Sequence, residues 1–170
     1  MIAFARFVHL TSIAFWAGAT TFLFVLAPGV FAALGKPVAG DAMNAIFPRF
    51  YALSLLCAAL AACTLPLLPE RSTARGALLT AAIALLVLAG PVLGARAAAV
   101  REKRAQAEAA VAAGAASGEL EALKKEFGML HGVVTLLDLT MLGACVALLW
   151  LGISALAPPG PTGGGAGGAT

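Results

Sequence analysis

The chain has 170 residues, about one domain's worth, of which 61% are hydrophobic and only 11% charged, against roughly 25% charged in a soluble domain. So short a chain has too little interior to hide that much apolar surface from water, which excludes an ordinary soluble enzyme and points to lipid as the solvent. A formal charge of +3, scattered along the chain, makes no case for nucleic acid. Cys57, Cys63 and Cys145 all lie in apolar runs and form neither a disulfide framework nor a Cys-x-x-Cys site.

Four apolar stretches follow one another, over residues 5–33, 50–69, 76–96 and 128–157, the last interrupted by Asp138. At about 1.5 Å of rise per residue each can cross a hydrocarbon layer of roughly 30 Å. Their density of leucine and alanine, without strand-like alternation, favours helices over barrel strands. The first stretch carries an early cation, Arg6, but is much longer than a signal-peptide core of about 7–15 residues, and is expected to be a retained helix. The predicted fold is all-α: an integral membrane bundle of four transmembrane helices over residues 1–157, with a Gly- and Pro-rich tail, 158–170, expected to be disordered.

The connections differ in kind. Between Lys36 and Arg49, Ala42, Met43, Ile46 and Phe47 recur at helical spacing, predicting a short amphipathic helix that ends at Pro48. Leu68 to Arg75 reads as a turn around Pro69. Arg96 to Phe127 is helical in composition and broken at Gly114 and Gly118, predicting a cytoplasmic helical hairpin between the third and fourth spans. Ser117 is placed to cap its second arm, where Glu121 and Lys125 stand at i,i+4. Lys36, Arg49, Arg96, Arg101, Lys103, Arg104, Lys124 and Lys125 fall on one side of the bundle, and only Arg6, Arg71 and Arg75 on the other. The lysine and arginine bias then puts the first and third connections in the cytoplasm and both termini outside, in a cell (inner) membrane.

Polar side chains within the spans are the candidate functional groups, because lipid makes them costly unless something pairs with them. His9, Ser12, Trp16 and Thr20 share one stripe of the first helix. His131, Asp138 and Cys145 share one on the fourth, with Thr135 beside them. Both stripes are expected to face the interior, serving either as interhelical hydrogen-bonding groups or in ligand or proton handling. Asp138 needs protonation or a cation. Arg96, about 5–8 Å away along the axis by helical rise, is the expected partner, with Arg49 the runner-up. Two histidines invite a bis-histidine haem, but antiparallel threading sets them roughly 25 Å apart, too far to flank one iron. Met141 and Cys145 are read as packing groups rather than a soft-metal site, and 89–94 as a Pro91-kinked packing segment. No nucleophile–base pair, paired carboxylates or phosphate-binding loop is present, so no catalytic residue and no metal ligand is assigned.

Three segments carry a family resemblance: Phe-Val-His-Leu-Thr-Ser-Ile-Ala-Phe-Trp-Ala-Gly at 7–18, Ile-Phe-Pro-Arg-Phe-Tyr at 46–51, and Glu-Phe-Gly-Met-Leu-His-Gly-Val-Val-Thr-Leu-Leu-Asp-Leu at 126–139. In order and spacing they resemble the transmembrane protein 205-like family, a domain of unknown function with four membrane helices. The resemblance implies His9, Trp16, Gly18, Phe47, Pro48, Tyr51, His131 and Gly132 as signature positions. The chain departs from the family pattern at Val134, where serine is usual, and at Asp138, where asparagine is usual. The first segment alone also resembles the small helical membrane protoporphyrinogen oxidases, an analogy confined to that stretch.

The expected function is that of a non-enzymatic membrane bundle without a cofactor, acting as an accessory, scaffold or small transport-related component. Its expected partners are the lipid bilayer and other membrane subunits or a second copy of itself. The alternative is a haem-linked or redox membrane enzyme using His9 or His131.

Overall fold

A computed structural model describes residues 1–156, with only the backbone at Lys36 and Pro37. The expected disordered tail, 158–170, lies outside the described residues. Among the described residues five α-helices form: α1 (Ile2–Leu34), α2 (Lys36–Thr64), α3 (Thr73–Val87), α4 (Ala95–Ala112) and α5 (Gly118–Ser154). A π-helical segment, Leu88–Gly94, joins α3 to α4, so that Thr73–Ala112 runs as one rod. Four helical rods are therefore long and apolar enough to cross a membrane. A helix satisfies its own backbone hydrogen bonds, which is what a segment surrounded by lipid requires.

The breaks have local causes. Gly35, at φ +71°, turns α1 into α2 in a conformation that side chains disfavour. Leu65–Leu67 form a tight 3₁₀ turn containing Pro66. Ser72 caps α3, its hydroxyl accepting from the backbone N–H of Arg75 at 3.2 Å. Gly114, at φ +98°, ends the α4 arm. Ser117 does occupy the N-cap position of α5, but with helical dihedrals its side chain makes no capping bond. Lys124, rather than Lys125, pairs with Glu121, at 2.8 Å.

Pro48 does not end a helix. It lies inside α2, which runs unbroken from Lys36 to Thr64. Without an N–H, Pro48 leaves the Asn44 carbonyl, one turn earlier, without its helical donor. Neighbouring helices make such an interruption tolerable in a membrane bundle. Pro91 likewise produces a π-helical turn in place of a simple kink, the wider helix accommodating the missing donor.

α1 packs on α2 and α5; α5 also packs on α3 and α4, and α2 on α3. Ile13, Trp16, Leu86, Met141 and Cys145 are fully buried in the shared core. Gly152 of α5 brings its backbone against Leu10 of α1, where a Cβ would strike the Leu10 side chain. The outward faces are equally apolar: Phe4, Phe22, Leu136 and Trp150 are 72%, 64%, 65% and 73% exposed. Helices apolar all round and bare on the outside suit hydrocarbon, not water.

Ion pairs gather in two bands. In one, Arg6 donates twice to Glu70, at 2.7 and 3.0 Å, holding its carboxyl below the usual carboxylate range. In the same band Arg75 caps the Leu151 carbonyl and Arg71 that of Pro66. In the other band Arg96 pairs with Glu126 at 2.8 Å, Arg101 with Asp41 at 2.9 Å, and Arg104 with Glu108 at 3.0 Å, while also lying over the Phe127 ring. Asp138 belongs to neither band and lies buried within α5.

Candidate functional site

The α1 stripe packs inward, as its spacing implies: His9, Ser12, Trp16 and Thr20 are all buried. His9 Nδ1 lies 3.0 Å from the Ala61 carbonyl and 3.2 Å from Thr64 Oγ1. A carbonyl can only accept, so Nδ1 carries the proton, and the imidazole ties α1 to the end of α2. Thr20 Oγ1 donates to the Trp16 carbonyl at 2.9 Å, within its own helix. The Trp16 indole Nε1 has no partner among the described residues. Gly18 lies exposed, with open space where a Cβ would stand.

The α5 stripe divides. Asp138 and Cys145 are buried, Thr135 is half-buried, and His131 is exposed, correcting the expectation that it faces the packed interior. The four positions do share a side of the helix, but around His131 α2 stands away from α5 and leaves a cavity. His131 lines that cavity, its ring parallel to Phe127 at 6.3 Å between centroids. Thr135 turns its hydroxyl back onto the His131 carbonyl. Gly132, exposed like Gly18, makes no close contact.

Asp138 does not meet Arg96. That guanidinium binds Glu126, and from residue 126 to residue 138 is about 18 Å of helical rise. Arg49 turns back one turn to the carbonyl of Ala45, in its own helix. The partner of Asp138 is Tyr51, whose buried hydroxyl reaches from α2 to α5 and donates to Oδ2 at 3.1 Å. Asp138 is 4% exposed, and its Oδ1 has no partner among the described residues, nor has the buried Ser54 Oγ one turn along α2. A neutral hydroxyl thus meets a carboxyl that an arginine was expected to hold.

Gly90 makes that bond possible. A Cβ there would lie 2.6 Å from Tyr51 Cδ1 and 2.7 Å from Cγ, so only glycine lets the ring reach across toward α5. Phe50 packs edge-on to Tyr51 at 5.1 Å and Phe47 stacks at 6.3 Å, fixing the ring from its own helix.

The other side of Tyr51 lines the cavity, of about 680 Å³. Phe47, Pro48 and Tyr51 contribute from α2, Gly90 and Pro91 from the π-helical segment, and His131 and Val134 from α5; Asn44, Arg101 and Glu102 stand toward the ion-pair band. The second and third motif segments therefore converge on one cavity. The first does not join them. His9 sits beside Ala61 and His131 beside the Pro48 turn, and residues 48 to 61 of α2 span about 20 Å, so the two histidines cannot flank one iron. Sequence reasoning placed Gly90 in a packing segment without its contact to Tyr51, and missed Arg101 and Glu102 at the cavity and the Tyr51–Asp138 pair. The available signal was that Tyr51 is the chain's single tyrosine and Asp138 lies mid-span, each needing a polar partner.

Four apolar rods long enough to span a bilayer, packed around a hydrophobic core, are those of a multi-pass helical membrane protein. The chain belongs to the family described as a domain of unknown function (DUF4149), which matches residues 11–106. That stretch holds Trp16, Phe47, Pro48, Tyr51, Gly90 and Arg101, while His131 and Asp138 lie beyond it on α5. No curated protein and no solved structure matches the chain.

Proposed function

We propose that this chain is a non-enzymatic component of the cell membrane, an accessory, scaffold or small transport-related protein of the transmembrane protein 205-like type. The observation that carries this proposal is how its interior polar groups are used. His9 is spent on Ala61 and Thr64, and Tyr51 on Asp138, each bond tying one helix to another. Groups committed in this way hold a bundle together, and no nucleophile–base pair stands among them.

The Lys/Arg bias supports both termini outside, with the Lys36 and Gly114 connections in the cytoplasm. The outer turns of α4 and the first turns of α5, laced by Arg104–Glu108 and Glu121–Lys124, would then project as a cytoplasmic hairpin. That hairpin offers a docking surface for other membrane subunits or a second copy.

A haem-linked enzyme is the competing class, and His131 at the cavity edge is its best candidate ligand. The visible spectrum of gently purified protein separates the two. We expect no Soret band. A Soret band that disappears in His131→Ala or His9→Ala would overturn the proposal.

A further inference from the structure

We infer that the cavity between α2, α5 and the rod made by the π-helical segment and α4 takes up an organic cation carried on an apolar body. Near Tyr51, Gly90 and Val134 its walls are hydrocarbon and aromatic, and its charged groups lie toward Glu102. From Tyr51 to Asn44 is about 10 Å of rise along α2, and from Gly90 to Glu102 about 18 Å along the facing rod. The cavity is therefore apolar at depth and polar toward one band of ion pairs, a shape that suits a solute with a greasy body and one polar end.

The sign of that polar end follows from which groups are already used. Arg101, the cation lining the cavity, is bound to the Asp41 carboxylate and to the Gly40 carbonyl. Arg104 and Arg96 nearby are matched by Glu108 and Glu126. Glu102 lines the same cavity with no hydrogen bond or ion pair among the described residues. Pro48 leaves the Asn44 carbonyl without its helical donor at the cavity wall. Behind the deep wall, one hydrogen bond away through Tyr51, the Asp138 carboxyl keeps Oδ1 unpartnered. Glu102, the Asn44 carbonyl and Asp138 Oδ1 are unused acceptors. The His131 imidazole and the Asn44 amide add N–H donors to the lining, but the formal charge left unmatched there, among the described residues, is the Glu102 carboxylate. A cation would meet a carboxylate and the ring faces of Phe47 and Tyr51; an anion would meet Glu102 with the guanidinium already committed.

The inference rests on the membrane placement, not on the accessory role. Failure of cation binding leaves the four-span topology standing, whereas failure of the topology removes both. The test uses the full chain in phosphatidylcholine nanodiscs with two probes of matched shape and opposite charge, tetraphenylphosphonium and tetraphenylborate. Binding is measured above that of protein-free nanodiscs. We expect saturable binding of tetraphenylphosphonium and none of tetraphenylborate. Glu102→Gln, at an exposed position, should weaken the cation about fivefold. Ala98→Phe, which fills the cavity from exposed α4 surface, should abolish binding while circular dichroism stays that of the parent. Equal binding of the two probes, absence of saturable cation binding, or parent-like affinity in either variant would overturn the proposal.

Discussion

Tyr51→Phe is expected to destabilise the folded bundle by about 2 kcal/mol, read by unfolding titrations in mixed micelles. The hydroxyl it removes is the sole protein partner of Asp138 among the described residues, because Oδ1 already has none. Hydrogen bonds within membrane bundles are modest, averaging about 0.6 kcal/mol, since helices separated in lipid also find partners. The larger cost lies in what remains: a buried carboxyl stripped of its donor, worth roughly 1–3 kcal/mol. That asymmetry makes a graded series. Asp138→Asn keeps an amide oxygen for Tyr51 to donate to, so it should lie close to the parent. Asp138→Ala orphans the Tyr51 hydroxyl and opens a small void, and should cost about 2–3 kcal/mol. Tyr51→Phe combined with Asp138→Leu removes both polar groups and should recover most of the loss. If Tyr51→Phe unfolds like the parent, the pair does not hold α2 to α5.

Gly90→Ala should cost about 2 kcal/mol by the same measurement. In an exposed helix this exchange stabilises by up to about 1 kcal/mol, because alanine has less backbone freedom to lose. Here the new methyl would lie 2.6 Å from Tyr51 Cδ1, 2.7 Å from Cγ and 3.2 Å from Cβ. The last two atoms sit at the base of the side chain, so a ring rotation gives no relief and α2 itself must move back. Overpacking of that kind typically costs about 1–3 kcal/mol. Gly143→Ala is the control: on α5 it meets nothing within 4 Å and should be neutral or stabilising. Matching gains at both glycines would mean that Tyr51 does not lie against Gly90.

The four rods long and apolar enough to span a membrane were legible in the sequence because the relevant quantity, the length of an uncharged run, is local. The sequence also revealed the buried face of α1, since His9, Ser12, Trp16 and Thr20 need only helical spacing to share a side. Depth was harder to read. A helical wheel gives an angle about the axis but no height relative to neighbours, and counting rise from the span centres brings Arg96 to Asp138 although Glu126 lies nearer. His131 shows the complementary gap: it does share a side with Asp138, yet whether that side meets a helix or a cavity depends on how far α2 stands from α5. The two internal prolines show a third. Pro48 as a terminus and Pro48 as an interior residue differ in what neighbouring helices supply, and the π-helical turn at Pro91 is invisible to composition. Tyr51 against Gly90 is a contact between elements distant in the chain, and only packing reveals it.

The proposed function requires four crossings, with the charged end of the cavity toward the cytoplasm. In a variant with alanine at Cys57, Cys63 and Cys145, single cysteines at Arg71→Cys and Ala115→Cys can be labelled in intact cells with a membrane-impermeant maleimide, alongside tags at both chain ends. The account predicts that Arg71→Cys and both tags are reached from outside, and that Ala115→Cys is labelled only after the cells are permeabilised. Labelling of Ala115→Cys in intact cells, or chain ends on opposite faces, would contradict it.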